Sequence, residues 1–277
     1  MLNHQYQVQR CVGRALYGDV WLCEDTKRDN ELVAIKQVSL VRAKRALTTH
    51  RHMDNPFDER KTAVYLMELN GHDNILQFRH EFLENGSWFM VMEYCEGGDL
   101  LSRLQDVPEN RLDESVALHY FRQVIRGVNF LHGSGVAHRD LSLENVLLKN
   151  GVAKICDFGL STEANRMCTE RVGKAYYMAP EVVSGESYDP LAADMWSLGV
   201  MLFIMLTGSP LIPCASRDEK AFLALEAFGV EKILDAWGFT SSISAGALDL
   251  LTRLIQVRPE KRLTIEDVLE HPILNRL

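Results

Sequence analysis

Three stretches of this sequence hold residue types suited to handling a polyanion. Val12-Gly13-Arg14-Ala15-Leu16-Tyr17-Gly18-Asp19-Val20 carries glycines at 13 and 18. Glycine lets backbone N–H groups come close to phosphate-like groups, because no Cβ stands in the way. An ordinary hairpin uses the same residues, so this stretch alone decides nothing. Val33-Ala34-Ile35-Lys36 ends a short apolar run on an ammonium. A lysine in that position commonly snorkels to the surface. The densest grouping is His138-Arg139-Asp140-Leu141-Ser142-Leu143-Glu144-Asn145. Asp157-Phe158-Gly159 follows twelve residues after Asn145, and Ala179-Pro180-Glu181 lies beyond. A purely structural origin would have to explain all three of these motifs in this order, behind a glycine loop and a strand lysine.

Together the motifs resemble the eukaryotic protein kinase family, and the resemblance covers nearly the whole chain. H-R-D-L-x-x-x-N is matched at every fixed position, and D-F-G and A-P-E follow. The glycine loop is matched in part, with Ala15 at the middle glycine, where one methyl stiffens the tip. Asp194-Met195-Trp196-Ser197-Leu198-Gly199 is similar to the start of the family's buried central helix. Arg262 is similar to the arginine that pairs with the glutamate of A-P-E, here Glu181.

The resemblance implies an α+β bilobal kinase fold with ATP and Mg²⁺ as cofactors. The reaction implied is phosphoryl transfer to Ser/Thr hydroxyls of a protein substrate. That chemistry needs positioning and charge neutralisation more than covalent participation. Asp140 then accepts or orients the substrate hydroxyl, Asn145 and Asp157 hold Mg²⁺, and Lys36 contacts the α- and β-phosphates. Gly13 and Gly18 cover the phosphates. Val12, Val20, Ala34 and Leu147 sandwich the adenine, and Glu93 and Cys95 form the hinge that reads its edge. Met92 guards the back of the pocket and Asp99 reaches the ribose. Cys156 lies at the pocket floor.

Three positions depart from the family pattern. The helix glutamate that pairs with the strand lysine is replaced by Thr62. Glu59, one turn earlier on nearly the same face, is expected to take its place. Glu68 is a second candidate but is out of helical phase. Ser142 stands where Ser/Thr kinases carry lysine, and Lys174 where they carry threonine. Either the two groups have exchanged places beside Asp140, or both functions are lost and the enzyme is sluggish. These changes keep open a pseudokinase scaffold or nucleotide-binding module, and a tyrosine or dual-specificity kinase. Glu144-Asn145 and the calcium/calmodulin-kinase-like helical portion favour Ser/Thr. Within the activation segment, Asp157–Glu181, Thr169 has the spacing of an activating phosphosite gripped by Arg139, and Glu170 can mimic part of that charge.

The elements that must position these groups are legible in outline. Residues 6–40 alternate as strands, 58–70 read as a helix, and Trp88–Tyr94 is a further strand. Gly97-Gly98 marks a lobe boundary, giving about 1–96 as a strand-rich lobe and 97–277 as a helical one. Helices are expected near 113–133, 192–208, 218–228, 245–256 and 264–270. The basic stretch at 42–52 reads as a loop or a frayed helix start, more simply a solvated insertion than a docking site for an acidic partner. Leu198–Leu206 is too short to span a membrane and reads as core.

The 277 residues carry 30 Lys+Arg against 38 Asp+Glu, a net charge of −8. This argues against a nucleic-acid binder. Six cysteines without metal-ligand spacing, and no apparent secretory signal, suggest a reducing cytoplasmic or nuclear setting. No membrane association is expected. A monomer is expected, pairing transiently if it phosphorylates itself.

Overall fold

The computed structural model describes residues 1–49 and 54–275. His50, Arg51 and His52 of the basic stretch lie outside the described residues. The first part of the chain runs β1 (Tyr6–Ala15), β2 (Gly18–Asp25), β3 (Glu31–Ser39), α1 (Leu40–Thr49), α2 (Pro56–Glu68), β4 (Phe78–Glu84) and β5 (Ser87–Glu93). Its strands form one antiparallel sheet in the order β1-β2-β3-β5-β4. Alternation along the strands gives that sheet two apolar faces. Val33, Ile35, Phe89 and Val91 point to one side with Tyr6 and Cys23. Val38, Trp88 and Met90 point to the other, where Ala43 of α1, Ala63 of α2 and Tyr17 cover them.

The basic stretch is therefore helical over its described part. Its burial signal is weak because alanine makes the contact: Ala43 is fully buried while Arg42 and Lys44 stay exposed. Helix α2 starts earlier than its apolar period suggests. Pro56 sits in the first turn, and the Asn55 side chain accepts the Phe57 N–H, a cap that fixes the start.

Beyond a link at 94–99 that turns at Glu96-Gly97 come α3 (Leu100–Gln105), α4 (Glu114–Gly133), β6 (Val136–Ala137), β7 (Val146–Lys149), β8 (Val152–Ile155) and β9 (Thr162–Glu163). The chain then runs through α5 (Pro180–Ser184), α6 (Pro190–Thr207), α7 (Lys220–Ala236), α8 (Ala245–Leu254), α9 (Ile265–Leu269) and α10 (Pro272–Asn275). In α4, Ala117, Leu118, Phe121, Val124, Ile125, Val128 and Leu131 recur at helical spacing and form its buried stripe. Every residue of α6 from Ala193 to Thr207 is buried, so this apolar helix is the core of the larger lobe. Helix α7 runs past its expected end at 228: Gly229, at φ 76°, interrupts the period, and Val230 and Leu234 resume the buried face.

Candidate active site

A cleft of about 630 Å³ lies under β1 and β2 and is floored by β7 and the segment after β8. Val12, Gly13, Val20, Ala34, Lys36, Met92, Glu93, Cys95, Asp99, Leu147, Cys156 and Asp157 all line it. Gly18 does not. Its missing side chain serves a different purpose: a Cβ there would stand 2.1 Å from the Gln37 carbonyl oxygen, so Gly18 lets β2 turn tightly against β3.

Lys36 projects from β3, and α2 meets it with Glu59. The ammonium donates to both carboxylate oxygens, at 2.7 and 2.6 Å. Both side chains are largely buried, 14% and 6% exposed. Burial opposes the charge on Lys36, but the Glu59 and Asp157 carboxylates outweigh it and hold the ammonium well above its ordinary range. For Glu59 burial is the larger influence and pushes the carboxyl up, with Lys36 pulling it back. Thr62 lies elsewhere, with its hydroxyl 2.9 Å from that of Ser161.

Asp140 is gripped from three directions. Its Oδ2 accepts Asn145 Nδ2 at 2.7 Å and Lys174 Nζ at 3.1 Å, and its Oδ1 accepts the Lys174 backbone N–H at 3.2 Å. Asn145 Nδ2 also donates to the Asp140 carbonyl at 2.8 Å. The Lys174 ammonium reaches the Ser142 hydroxyl as well, at 2.8 Å. The loop is tied to the cleft floor through main-chain atoms. The Cys156 N–H donates to the Asn145 carbonyl, and the His138 ring lies 3.0 Å from the Cys156 carbonyl. Asp157, next along, has φ 66°, a left-handed backbone that costs a non-glycine residue about 1–2 kcal/mol. Burial drives the Cys156 thiol well above its ordinary range, so it lines the cleft as a neutral thiol.

The outer parts of the site are also fixed. Arg262 forks onto Glu181 at 2.5 and 2.7 Å, with its guanidinium over the Trp196 ring. Arg139 donates to the Leu160 carbonyl at 2.7 Å and to Glu170 at 3.2 Å. Arg166 holds the other oxygen of Glu170. Thr169 is exposed and gives its backbone N–H to the same carboxylate. Asp99 caps α3 through Ser102 at the edge of the cleft. The Glu93 carboxylate is taken up by Lys149 and Lys154.

Two residues make contacts that the sequence reading did not assign, although Asp194 stood in the motif that opens the central helix. Asp194, 1% exposed, accepts the backbone N–H groups of His138 and Arg139, both at 2.8 Å, and His132 at 3.0 Å. Its signal was a lone carboxylate opening an otherwise apolar helix. Asp54, just before α2, left no signal. Its carboxyl packs onto Gly159, where a Cβ would overlap it at 1.4 Å, and one buried oxygen has no partner. It lies within 4.8 Å of ligand atoms on Glu59 and Asp157. Burial, and then Asp157, push Asp54 up to about 7. Its carbonyl accepts the Tyr17 hydroxyl at 2.7 Å, which ties the glycine-loop tip to the start of α2.

Comparison with known proteins agrees with this geometry. A profile of the protein kinase domain matches residues 6–274. Calcium-dependent protein kinase 12 of Oryza sativa is 36% identical over 273 residues, covering 96% of this chain and 48% of that protein. Calcium-dependent protein kinase 29 of Arabidopsis thaliana is 34% identical over 278 residues, 98% of this chain and 49% of its own length. Serine/threonine-protein kinase chk1 of Schizosaccharomyces pombe is 32% identical over 283 residues, 98% of this chain and 54% of its own. The chain thus spans about half the length of these curated relatives. With a bilobal fold, Lys36, Glu59 and Asp157 lining one cleft, the Asp140–Asn145 loop hydrogen-bonded to its floor, and the domain profile matched almost end to end, the chain belongs to the protein kinase family.

Proposed function

We propose that this chain transfers the γ-phosphoryl group of ATP to serine or threonine hydroxyls of protein substrates, with Mg²⁺ as its metal. One observation carries the reading: a buried Lys36–Glu59 pair and Asp157 line one cleft, and an Asp140 locked to Asn145 is tied to its floor through the Cys156 N–H on the Asn145 carbonyl. The donor set suits the cofactors. The Asp157 carboxylate and the Asn145 amide oxygen are hard ligands of the kind Mg²⁺ takes. The Asn145 nitrogen is committed to Asp140, which leaves its oxygen for a metal. Val12, Val20, Ala34 and Leu147 offer apolar walls for a flat base, and the main chain of Glu93 and Cys95 offers groups to read its edge. When bound, Mg·ATP supplies the phosphoryl group and the metal's charge. The protein's part is to orient. Asp140 receives or directs the substrate hydroxyl, Lys36 steadies the phosphates while Glu59 steadies Lys36, and Arg262–Glu181 anchors the segment on which a peptide rests.

Thr169, exposed on that segment, is the proposed self-phosphorylation position of a monomer that pairs transiently. Six free thiols support a reducing cytoplasmic or nuclear setting. The test is transfer of radiolabelled γ-phosphate to a mixed set of protein acceptors, followed by phosphoamino-acid analysis. Label on serine and threonine, lost in Asp140→Asn, is expected. No label, or label equal in Asp140→Asn, refutes the enzyme; label confined to tyrosine refutes the specificity.

A further inference from the structure

Lys174 is the most unusual member of the site. It sits on the activation segment, yet its backbone N–H and its ammonium grip the two different oxygens of Asp140, at 3.2 and 3.1 Å. The ammonium is anchored a second time by the Ser142 hydroxyl at 2.8 Å, from a serine that is itself fully buried. Gly173 makes the approach feasible. It has φ 99°, and a Cβ on it would stand 2.9 Å from the Arg139 carbonyl oxygen. The following turn is pinned: the Tyr177 N–H donates to the Lys174 carbonyl, the Tyr177 hydroxyl to Glu144, and the Ser197 hydroxyl to the Tyr177 carbonyl. Lys36, the lysine that lines the cleft, is committed to Glu59. A carboxylate that must hold one orientation while a hydroxyl reacts gains most from contacts that fix both of its oxygens.

From this geometry we propose that Lys174 is the positioning residue of Asp140, delivered by the activation segment, with Ser142 as its buttress. The inference rests on the kinase reading above and specifies what completes that site. It makes order in the 157–181 segment a condition for chemistry, because displacing that segment withdraws a charge from beside Asp140. The side chain of Lys174 is 35% exposed, so it is not part of the packed core and can be exchanged without a cavity.

The test uses three variants of the chain: Lys174→Met, Lys174→Arg, and the exchange Ser142→Lys with Lys174→Thr. Each is measured for kcat, peptide KM, Mg·ADP affinity by calorimetry, and melting temperature. Lys174→Met should lose kcat by about 100-fold, the scale of one preorganised electrostatic contact. Its Mg·ADP affinity and melting temperature should stay at the wild-type values. Lys174→Arg should fall between. The exchange should restore kcat to within about tenfold of wild type, because the two side-chain heads are 2.8 Å apart and the exchange keeps one ammonium and one hydroxyl in that pair. Lys174→Met within threefold of wild type, an exchange no better than the single variant, or a parallel loss of Mg·ADP affinity would each overturn the assignment. So would a general loss of folding in all three variants. An inactive wild type would overturn both this inference and the kinase reading; an active wild type indifferent to Lys174 would overturn this one alone.

Discussion

Replacing Glu59 with glutamine is the sharpest probe of the cleft. The exchange keeps size and one acceptor oxygen and removes only the charge. At 2.6 Å and an effective dielectric of about 20, the gross attraction to Lys36 is about 6 kcal/mol. Desolvation offsets much of that, since both groups are largely buried. The net cost of leaving one partner of such a pair alone is about 3–5 kcal/mol. Here the ammonium has somewhere else to go. Asp157 and Asp54 both act on Lys36. Glu59→Gln should therefore destabilise the fold by only about 2 kcal/mol while pulling Lys36 toward those carboxylates and off its phosphate-facing position. Catalysis should suffer more than folding, with kcat/KM for ATP down about 100-fold. Urea unfolding and steady-state kinetics at saturating peptide measure the two effects. Adding Lys36→Met to Glu59→Gln should cost little more activity than Glu59→Gln alone. If Glu59→Gln keeps more than a third of wild-type kcat/KM, or if the two changes add fully, Glu59 does not set Lys36 and the reasoning fails.

Further perturbations reach the rest of the site. Asp194→Asn weakens an acceptor of two buried backbone N–H groups and His132, so it should cost about 3 kcal/mol in chemical unfolding and lower kcat with peptide KM unchanged; retained kcat would refute it. Glu170→Ala removes the carboxylate between Arg139 and Arg166 and should lower kcat about tenfold and expose 160–175 to limited proteolysis, whereas Thr169→Ala should stay within twofold; the reverse order would mean that Arg139 waits for a phosphate. Asp54 has a folded pKa of about 7 against an ordinary 3.8, so the folded state holds this proton more tightly than the unfolded one and stability falls as pH rises from about 4 to 7. Asp54→Asn should remove that fall, on the order of 2 kcal/mol, and raise the melting temperature more at pH 8 than at pH 5; an equal change at both would refute it.

What the sequence made legible were groups whose type is itself the signal. Lys36, Asp140, Asn145 and Asp157 stand in motifs, and Arg262 and Glu181 pair across 81 positions because each sits in a recognisable context. The helix around Ala193–Thr207 was plain from its unbroken apolar run, and α4 from its stripe. Illegible features were those settled by tertiary contact. Helix α1 buries alanine, a residue that gives almost no periodic contrast. Gly18 reads as a phosphate-loop glycine, but the Gln37 carbonyl dictates it. Asp54 follows a basic stretch and precedes a cap, and nothing local says that its carboxyl will lie on Gly159. The Ser142 and Lys174 departures each look like a loss when read alone; only their 2.8 Å contact makes them one arrangement.

That arrangement also shows where the cost of the site is met. Arg139 and Asp157 both hold left-handed backbone, at φ 63° and 66°, and each such residue costs about 1–2 kcal/mol. Such conformers persist only where the surroundings over-determine them. For Arg139 the restraint is Asp194, a carboxylate fixed at the start of α6, whose next thirteen residues are all buried. For the residues around Asp157 it is the cleft floor, where Cys156 is bonded to Asn145 and His138 through main-chain atoms, and the N–H of Asn55 donates to the Gly159 carbonyl at 3.0 Å. The larger lobe thus acts through α6 as a rigid support for strained loops, while the charged partners of Lys36 and Asp140, Glu59 and Lys174, arrive on two other segments. Mutations in α6 should therefore act on kcat through Asp194 and scale with stability. Changes at Glu59 or Lys174 should lower activity out of proportion to stability, and that separation is open to measurement on the same set of variants.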